Sequence, residues 1–232
     1  MDDARFADHL PDALPTDPMH WADAWIKEAE TSASRRNPNS MTLTTVSANG
    51  APSARILLCK NFVPDPGYLV FYTNYRSRKA SEIAENPHVA VVFHWDSSGR
   101  QIRIEGIAVP SPAAESDAYF GLRDWGSQLG AWGSDQSAPL ESRAALIQQI
   151  RDRGQAMGIQ LGDDTNTLAS GTPPTIERPE HWGGFRVWAN AVELWKEGAN
   201  RVHDRARWTR DVVQSSTHEF SVSPWIGERI QP

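Results

Sequence analysis

Residues 41–109 read MTLTTVSANGAPSARILLCKNFVPDPGYLVFYTNYRSRKASEIAENPHVAVVFHWDSSGRQIRIEGIAV, and this run decides the fold. Five stretches have strand composition: Met41 to Ser47, Ala54 to Cys59, Tyr68 to Thr73, His88 to Trp95 and Gln101 to Val109. Asn49-Gly50, Pro64 to Gly67 and Ser97 to Gly99 mark turns between them. The expectation is a meander of antiparallel strands in a mainly β fold with flanking helices. One helix interrupts it, Ser77 to Glu85, with Ser77 as candidate N-cap and Asn86-Pro87 as its stop.

Upstream of this run, Met19, Trp21, Ala22, Trp25, Ile26 and Ala29 recur at three- and four-residue steps, which predicts an amphipathic helix from Pro18 to about Ser32. Residues 1–16 have Pro and Asp at close spacing and no periodicity, so they read as a flexible arm. Downstream, Ser111 to Leu122 and Leu140 to Met157 have helical character. Residues 158–180, rich in Gly, Asp, Thr and Pro, read as a long surface loop. Gly183 to Trp195 and Arg201 to Thr209 suggest a last hairpin around Glu197-Gly198. With no internal repeat in 232 residues, residues 17–232 are expected to form a single domain.

Hydrophobic residues make up 39% of the chain, with a mean hydropathy of -0.53, as in a globular, water-soluble protein. No window approaches the roughly 18 to 20 apolar residues of a membrane span, so no membrane partner is expected. The Asp-rich first twenty residues are the opposite of a secretory leader. A lone Cys59 excludes an internal disulfide or a cysteine metal cluster, and fits a reducing cytoplasm. A net charge of -6 repels nucleic acid. Arg nevertheless outnumbers Lys nineteen to four, and its planar fork suits phosphate and carboxylate oxygens, which points to a small anionic ligand.

Four constellations could carry chemistry. Arg78 and Lys79 fall in the first turn of the 77–85 helix, where cations oppose the macrodipole unless an anion binds there. Tyr119, Arg123 and Ser127 are spaced by four and four. On a continuous helix they share one face, and all three can donate to phosphate oxygens. Gly126 weakens the last turn, so that Ser127 could instead hang from the helix end. In Asn200 to Arg205, a strand would put Arg201, His203 and Arg205 on one side, where an anion or electron-rich ring would relieve their repulsion. Arg55 and Lys60 are an odd number apart, so on a regular strand they face opposite ways and serve different parts of a ligand, unless a bulge intervenes.

On spacing alone, the first three sets read equally well as solvated or salt-bridged surfaces. There is no Gly-rich phosphate loop, no nucleophilic Ser elbow and no paired-carboxylate arrangement. His203 has no second ligand at a metal-binding spacing, so no metal is expected.

Together the motifs resemble the FMN-dependent pyridoxamine 5'-phosphate oxidases. The landmarks are PSARILLCK (52–60), FYTNYRSRKASEIAENP (71–87), RQIRIEG (100–106), ESDAYFGLRDWGSQLGAWGSDQS (115–137), HWGGFRV (181–187), ELW (193–195) and NRVHDR (200–205). The resemblance implies a flavin-binding split β-barrel and a homodimer with FMN at its interface. It assigns FMN contacts to Arg55, Ile56, Leu57, Leu58, Cys59, Lys60, Tyr72, Thr73, Arg78, Lys79, Gln101, Gln136, Ser137, Trp195 and Arg205. It gives the substrate phosphate to Lys60, Tyr119, Arg123 and Ser127, and the substrate ring to Arg201 and His203, which would also assist proton loss.

The implied reaction oxidises pyridoxine or pyridoxamine 5'-phosphate to pyridoxal 5'-phosphate with O2 as acceptor. It releases hydrogen peroxide, and ammonia from the amine. Rival readings are a related oxidase of another aromatic compound, of the phenazine-biosynthesis type, and a non-catalytic flavin or pyridoxal-phosphate carrier. Cys59 stands where the family usually has Leu, and Ala189 stands near a usual Pro.

Overall fold

The computed structural model describes residues 9–32, 36–162 and 175–232. The chain forms two compact units, one from residues 1–71, 82–109 and 185–232, the other from 72–81 and 110–184.

The first unit is built on an antiparallel sheet. Its strands are β1 (Ser40–Val46), β2 (Pro52–Leu58), β3 (Asn61–Val63), β4 (Tyr68–Asn74), β5 (His88–Trp95), β6 (Arg100–Pro110), β7 (Trp182–Lys196), β8 (Asp204–Thr209) and β11 (Ile226–Arg229). Their order is β11-β8-β7-β6-β5-β1-β2, and β4 pairs with both β3 and β7, so the sheet branches at β7. A separate ribbon joins β9 (Val212–Gln214) to β10 (Phe220–Val222). The five expected strands form, with ends within two residues of expectation, but they do not run as one meander: β1 lies between β2 and β5, and β4 pairs with β3 and β7 instead of with β2 and β5. β3, β9, β10 and β11 were not expected, because runs of three or four residues are too short to show a period.

Alternation builds the core. Met41 and Leu43 on β1, Val91 and Phe93 on β5, Ile102 and Ile104 on β6, and Ala206 and Trp208 on β8 are buried. Their sequence neighbours point to the other face. Helix α1 (Pro18–Thr31) starts where Asp17 accepts the Met19 N–H at 2.7 Å, and buries Met19, Ala22, Trp25, Ile26 and Ala29.

Residues 1–8 of the expected arm lie outside the described residues. Residues 9–16 are fastened by side chains of β8 and β11. The Leu10 N–H donates to Asp204 Oδ2 (2.6 Å), Arg229 Nη2 donates to the carbonyls of Leu10 (2.9 Å) and Pro11 (2.8 Å), and Trp208 Nε1 donates to that of Pro15 (2.8 Å). A segment without periodicity can be held through its backbone groups.

The short helix α2 (Arg78–Glu85) forms where expected. At its start the Ser77 carbonyl accepts from Ala80 and Ser81, while the Ser77 hydroxyl donates to Asn74 O at 2.7 Å.

In the second unit, helices α3 (Ala113–Gly121), α4 (Trp125–Gly133) and α5 (Arg143–Ala156) enclose buried Phe120, Leu129, Ile159, Ile176 and Trp182. Helix α4 was not foreseen, since its three glycines lower helix propensity. Packing overrides that preference: a Cβ on Gly133 would lie 2.5 Å from Ile150 Cγ1, so only glycine lets α4 approach α5 this closely. Residues 163–174 of the expected loop lie outside the described residues. Among the described residues, no helix is long and apolar enough to cross a membrane.

Candidate active site

In the second unit the end of β4 and the start of α2 bring Thr73, Ser77, Lys79 and Gln136 together. Lys79 is only 8% exposed, and its ammonium donates to Gln136 Oε1 (2.6 Å), Ser77 Oγ (3.0 Å) and Thr73 Oγ1 (3.1 Å). Thr73 Oγ1 in turn donates to Gln136 Oε1 at 3.0 Å. An ammonium has three N–H donors, so all three have acceptors here.

The expectation that Arg78 and Lys79 form one cradle is therefore divided. Successive helical residues point about 100° apart, which sends Lys79 inward and Arg78 outward. Arg78 lines a cavity of about 420 Å³ together with Asn74, Arg76, Ser81, Asp135, Gln136, Ser137, Ala138 and His181. Because Gln136 Oε1 takes both Lys79 and Thr73, the Gln136 amide N–H2 remains for a ligand. Ser137 holds a left-handed backbone (φ 75°), a conformation that non-glycine residues rarely adopt and that recurs at functional sites. Arg76 and His181 carried no sequence signal for this cavity.

Tyr119, Arg123 and Ser127 do not share one continuous helix. Helix α3 ends at Gly121, and α4 begins at Trp125 with Asp124 before it. Ser127 lies in the first turn of α4, where its hydroxyl donates to Asp124 Oδ2 at 3.1 Å. Tyr119 and Arg123 remain associated through aromatic rings. Tyr119 stacks on Tyr72 with centroids 4.0 Å apart, and the Arg123 guanidinium lies 4.6 Å from the centroid of the Trp182 ring. Arg123 Nη1 is buried without a hydrogen-bond acceptor. Burial also pulls the Arg123 pKa below its ordinary value, against the opposing pull of Tyr119 and Asp124.

In the first unit, Gln101, Trp195 and Arg205 lie on the sheet face opposite the Ile102, Ile104 and Ala206 core. Arg205 stands opposite Trp195 in the β7–β8 ladder. Glu193, 5% exposed, organises this face: Oε1 accepts from Arg205 Nε (3.0 Å) and Nη2 (2.8 Å), and Oε2 accepts from Arg103 Nη1 (2.9 Å). Arg205 Nη1 donates to Gln231 O at 2.9 Å.

The expected row of Arg201, His203 and Arg205 on one strand does not form, because β8 begins only at Asp204. Arg201 sits in a tight turn with φ 64°, after Asn200 at φ 55°. His203 packs its ring 4.7 Å from that of Trp195, and its Nδ1 accepts the Gly198 N–H at 3.2 Å. This bond leaves the proton of a neutral imidazole on Nε2.

Arg55 donates to Leu43 O (3.3 Å), Thr45 Oγ1 (2.6 Å), Ser53 Oγ (2.8 Å) and Glu82 Oε2 (3.4 Å). Ile56 beside it on edge strand β2 is 74% exposed. The strand ends at Leu58, so Cys59 and Lys60 belong to the corner before β3, where the Lys60 N–H donates to Val70 O at 2.8 Å. Cys59 is buried and Lys60 is exposed.

Residues 28–155 match the family model described as pyridoxamine 5'-phosphate oxidase, and residues 182–232 match the pyridoxine 5'-phosphate oxidase C-terminal dimerisation region. Curated relatives named pyridoxine/pyridoxamine 5'-phosphate oxidase include one from Burkholderia cenocepacia strain HI2424, 42% identical over 95% of this chain and 91% of the relative. Another, from Gluconobacter oxydans strain 621H, is 44% identical over 85% of this chain and 90% of the relative. The crystal structure of PhzG from Burkholderia lata 383, in complex with tetrahydrophenazine-1-carboxylic acid, superimposes with a TM-score of 0.78. It is 24% identical and covers 100% of this chain and 98% of its own, so it shares the fold, an FMN-binding split barrel.

Proposed function

The chain belongs to the pyridoxamine 5'-phosphate oxidase family and is an FMN-dependent oxidase; from that premise we propose that it oxidises pyridoxine and pyridoxamine 5'-phosphate to pyridoxal 5'-phosphate with dioxygen as acceptor. The names of relatives 42% to 45% identical over most of the chain support this reading. The observation that carries it is Arg123, a half-buried guanidinium whose Nη1 is buried and lacks an acceptor. Such a group is costly to bury unless an anion completes it, and a substrate phosphate would do so.

The residues present fit FMN. Arg76, Arg78, Ser81, Gln136 and Ser137 line one cavity, a donor-rich wall with Asp135 as its one carboxylate. In this reading Arg78, Gln136 and Ser137 hold the FMN phosphate, with Thr73 and Lys79 behind Gln136. Gln101, Trp195 and Arg205 present their shared face to the flavin. When bound, FMN supplies the two-electron acceptor, and its reoxidation by dioxygen gives hydrogen peroxide.

Tyr119, Arg123 and Ser127, with Lys60 added by the resemblance, hold the substrate phosphate. Arg201 and His203 orient the substrate ring. With Nδ1 on the Gly198 N–H, His203 in its neutral form meets the substrate through Nε2–H as a donor. The dimerisation region at 182–232 supports a homodimer, with FMN at its interface.

The test is to purify the protein, record its flavin absorbance, and assay pyridoxal phosphate and peroxide from each phosphorylated vitamer. Flavin with no turnover of either vitamer would overturn the substrate reading and favour an oxidase of another aromatic compound.

A further inference from the structure

Trp182 contacts residues from both ligand sets of the second unit, Tyr72 from one and Tyr119 and Arg123 from the other. Its backbone is fixed at both ends: its N–H donates to Pro179 O (3.0 Å), and its carbonyl accepts from Arg178 Nη1 (2.6 Å). Its ring is buried. It lies nearly parallel to Tyr72 (5.4 Å, 8°) and Tyr119 (6.2 Å, 7°), and Phe120 closes its edge at 5.1 Å.

The two residues after Trp182 have to be small. A Cβ on Gly183 would lie 2.2 Å from Tyr75 Oη, and one on Gly184 would lie 2.9 Å from Tyr72 Cε1. The backbone therefore runs directly against these tyrosines, and the indole is set in one place.

Arg123 rests on this indole. Among the described residues, no carboxylate hydrogen-bonds its guanidinium, and Asp124 beside it accepts from Ser127 instead. What faces the half-buried cation at 4.6 Å is the electron-rich Trp182 ring. A cation held over a ring keeps its in-plane N–H groups directed outward, where they can meet phosphate oxygens.

We propose that Trp182 is the positioning residue for selectivity toward a phosphorylated substrate, acting by holding Arg123 and Tyr119 on one aromatic plate shared with Tyr72. This rests on the reading of Arg123 as a phosphate donor.

The test measures kcat/KM for pyridoxine 5'-phosphate and for free pyridoxine in wild type, Trp182→Leu, Trp182→Phe, Arg123→Ala and the Trp182→Leu/Arg123→Ala double variant, each loaded with FMN. Trp182→Leu should lower the preference for the phosphate ester about threefold to thirtyfold, mainly through KM, as loss of a cation–π contact implies. Trp182→Phe, which keeps a weaker ring, should fall between Trp182→Leu and wild type. In the Arg123→Ala background, Trp182→Leu should change the preference no further.

A Trp182→Leu variant that slows both substrates equally would overturn the proposal, because that is the signature of a merely structural residue. An undiminished effect in the Arg123→Ala background would overturn it too. Should Trp182→Leu fail to hold FMN, Trp182→Phe carries the test, and an unchanged preference there has the same force. If Arg123→Ala itself leaves the preference intact, the phosphate reading fails and takes this inference with it; if Arg123→Ala lowers the preference and the Trp182 variants do not, only the inference fails.

Discussion

Lys79 Nζ donates to Gln136 Oε1 at 2.6 Å, and this bond fixes which end of the Gln136 amide faces the cavity. A lysine expected to meet an anion directly is instead buried behind a neutral side chain. Its charge polarises the amide, and its geometry orients it. Arg78, one residue earlier and exposed, lines the cavity together with Arg76.

Lys79→Met should therefore weaken FMN binding by about 1.5 to 3 kcal/mol, roughly tenfold to a hundredfold, and should do so through Gln136. A titration of apo-protein followed by flavin fluorescence checks this. In a Gln136→Ala background most of the Lys79→Met effect should vanish. Fully additive losses would mean that Lys79 meets the ligand itself.

Arg78→Ala should also lower FMN affinity about tenfold or more, but with a different signature. An exposed cation is screened by salt, whereas a buried one is screened far less. The Arg78→Ala deficit should shrink between low salt and 1 M salt, while that of Lys79→Met should persist. Equal salt sensitivity of the two would contradict the division of roles.

Glu193→Ala should leave Arg103 and Arg205 facing each other without their shared carboxylate. Loss of these charge-assisted bonds should cost about 1.5 to 3 kcal/mol of stability, measured by denaturant unfolding of the FMN-free protein. Glu193→Gln, which keeps an acceptor oxygen for Arg205, should cost less. An unaffected midpoint in Glu193→Ala would show that the pairing contributes nothing.

Burial pushes the Cys59 thiol up to about 12 from 9.0. The folded state therefore favours the protonated form. The Cys59 contribution is fully present below pH 9 and is lost as pH rises toward 12, by up to about 1.4 kcal/mol per pH unit. Comparing the pH dependence of unfolding in wild type and Cys59→Ala isolates this slope. Identical curves above pH 9 would contradict it, as would rapid alkylation of the native thiol at pH 8.

The parts of the fold legible in the sequence were those with long periodic signals: the 18–31 helix, the strands of 41–109 and the hairpin that β7 and β8 form. Helix α4 was hidden because its three glycines lower helix propensity, and packing against α5 accounts for Gly133 alone among them. The turn at Asn200 and Arg201 was hidden because Asn only favours left-handed backbone without requiring it, and Arg201 carries no such preference. Lys79 and Arg78 were legible as a pair of cations, but which one turned inward was not. The Trp182 plate is a contact between residues about sixty apart from Arg123 and more than a hundred from Tyr72, beyond the reach of any local spacing rule.

If this oxidase reads a substrate phosphate through Arg123, its choice between the two vitamers must depend on that residue. Steady-state kcat/KM is measured for pyridoxine 5'-phosphate and for unphosphorylated pyridoxine in wild type and Arg123→Ala, with FMN occupancy recorded for each. The wild type should strongly prefer the phosphate ester. Arg123→Ala should reduce this preference about tenfold or more, mostly through KM, while FMN stays bound. Equal use of the two vitamers by the wild type, or a preference untouched by Arg123→Ala, would contradict this reading of Arg123.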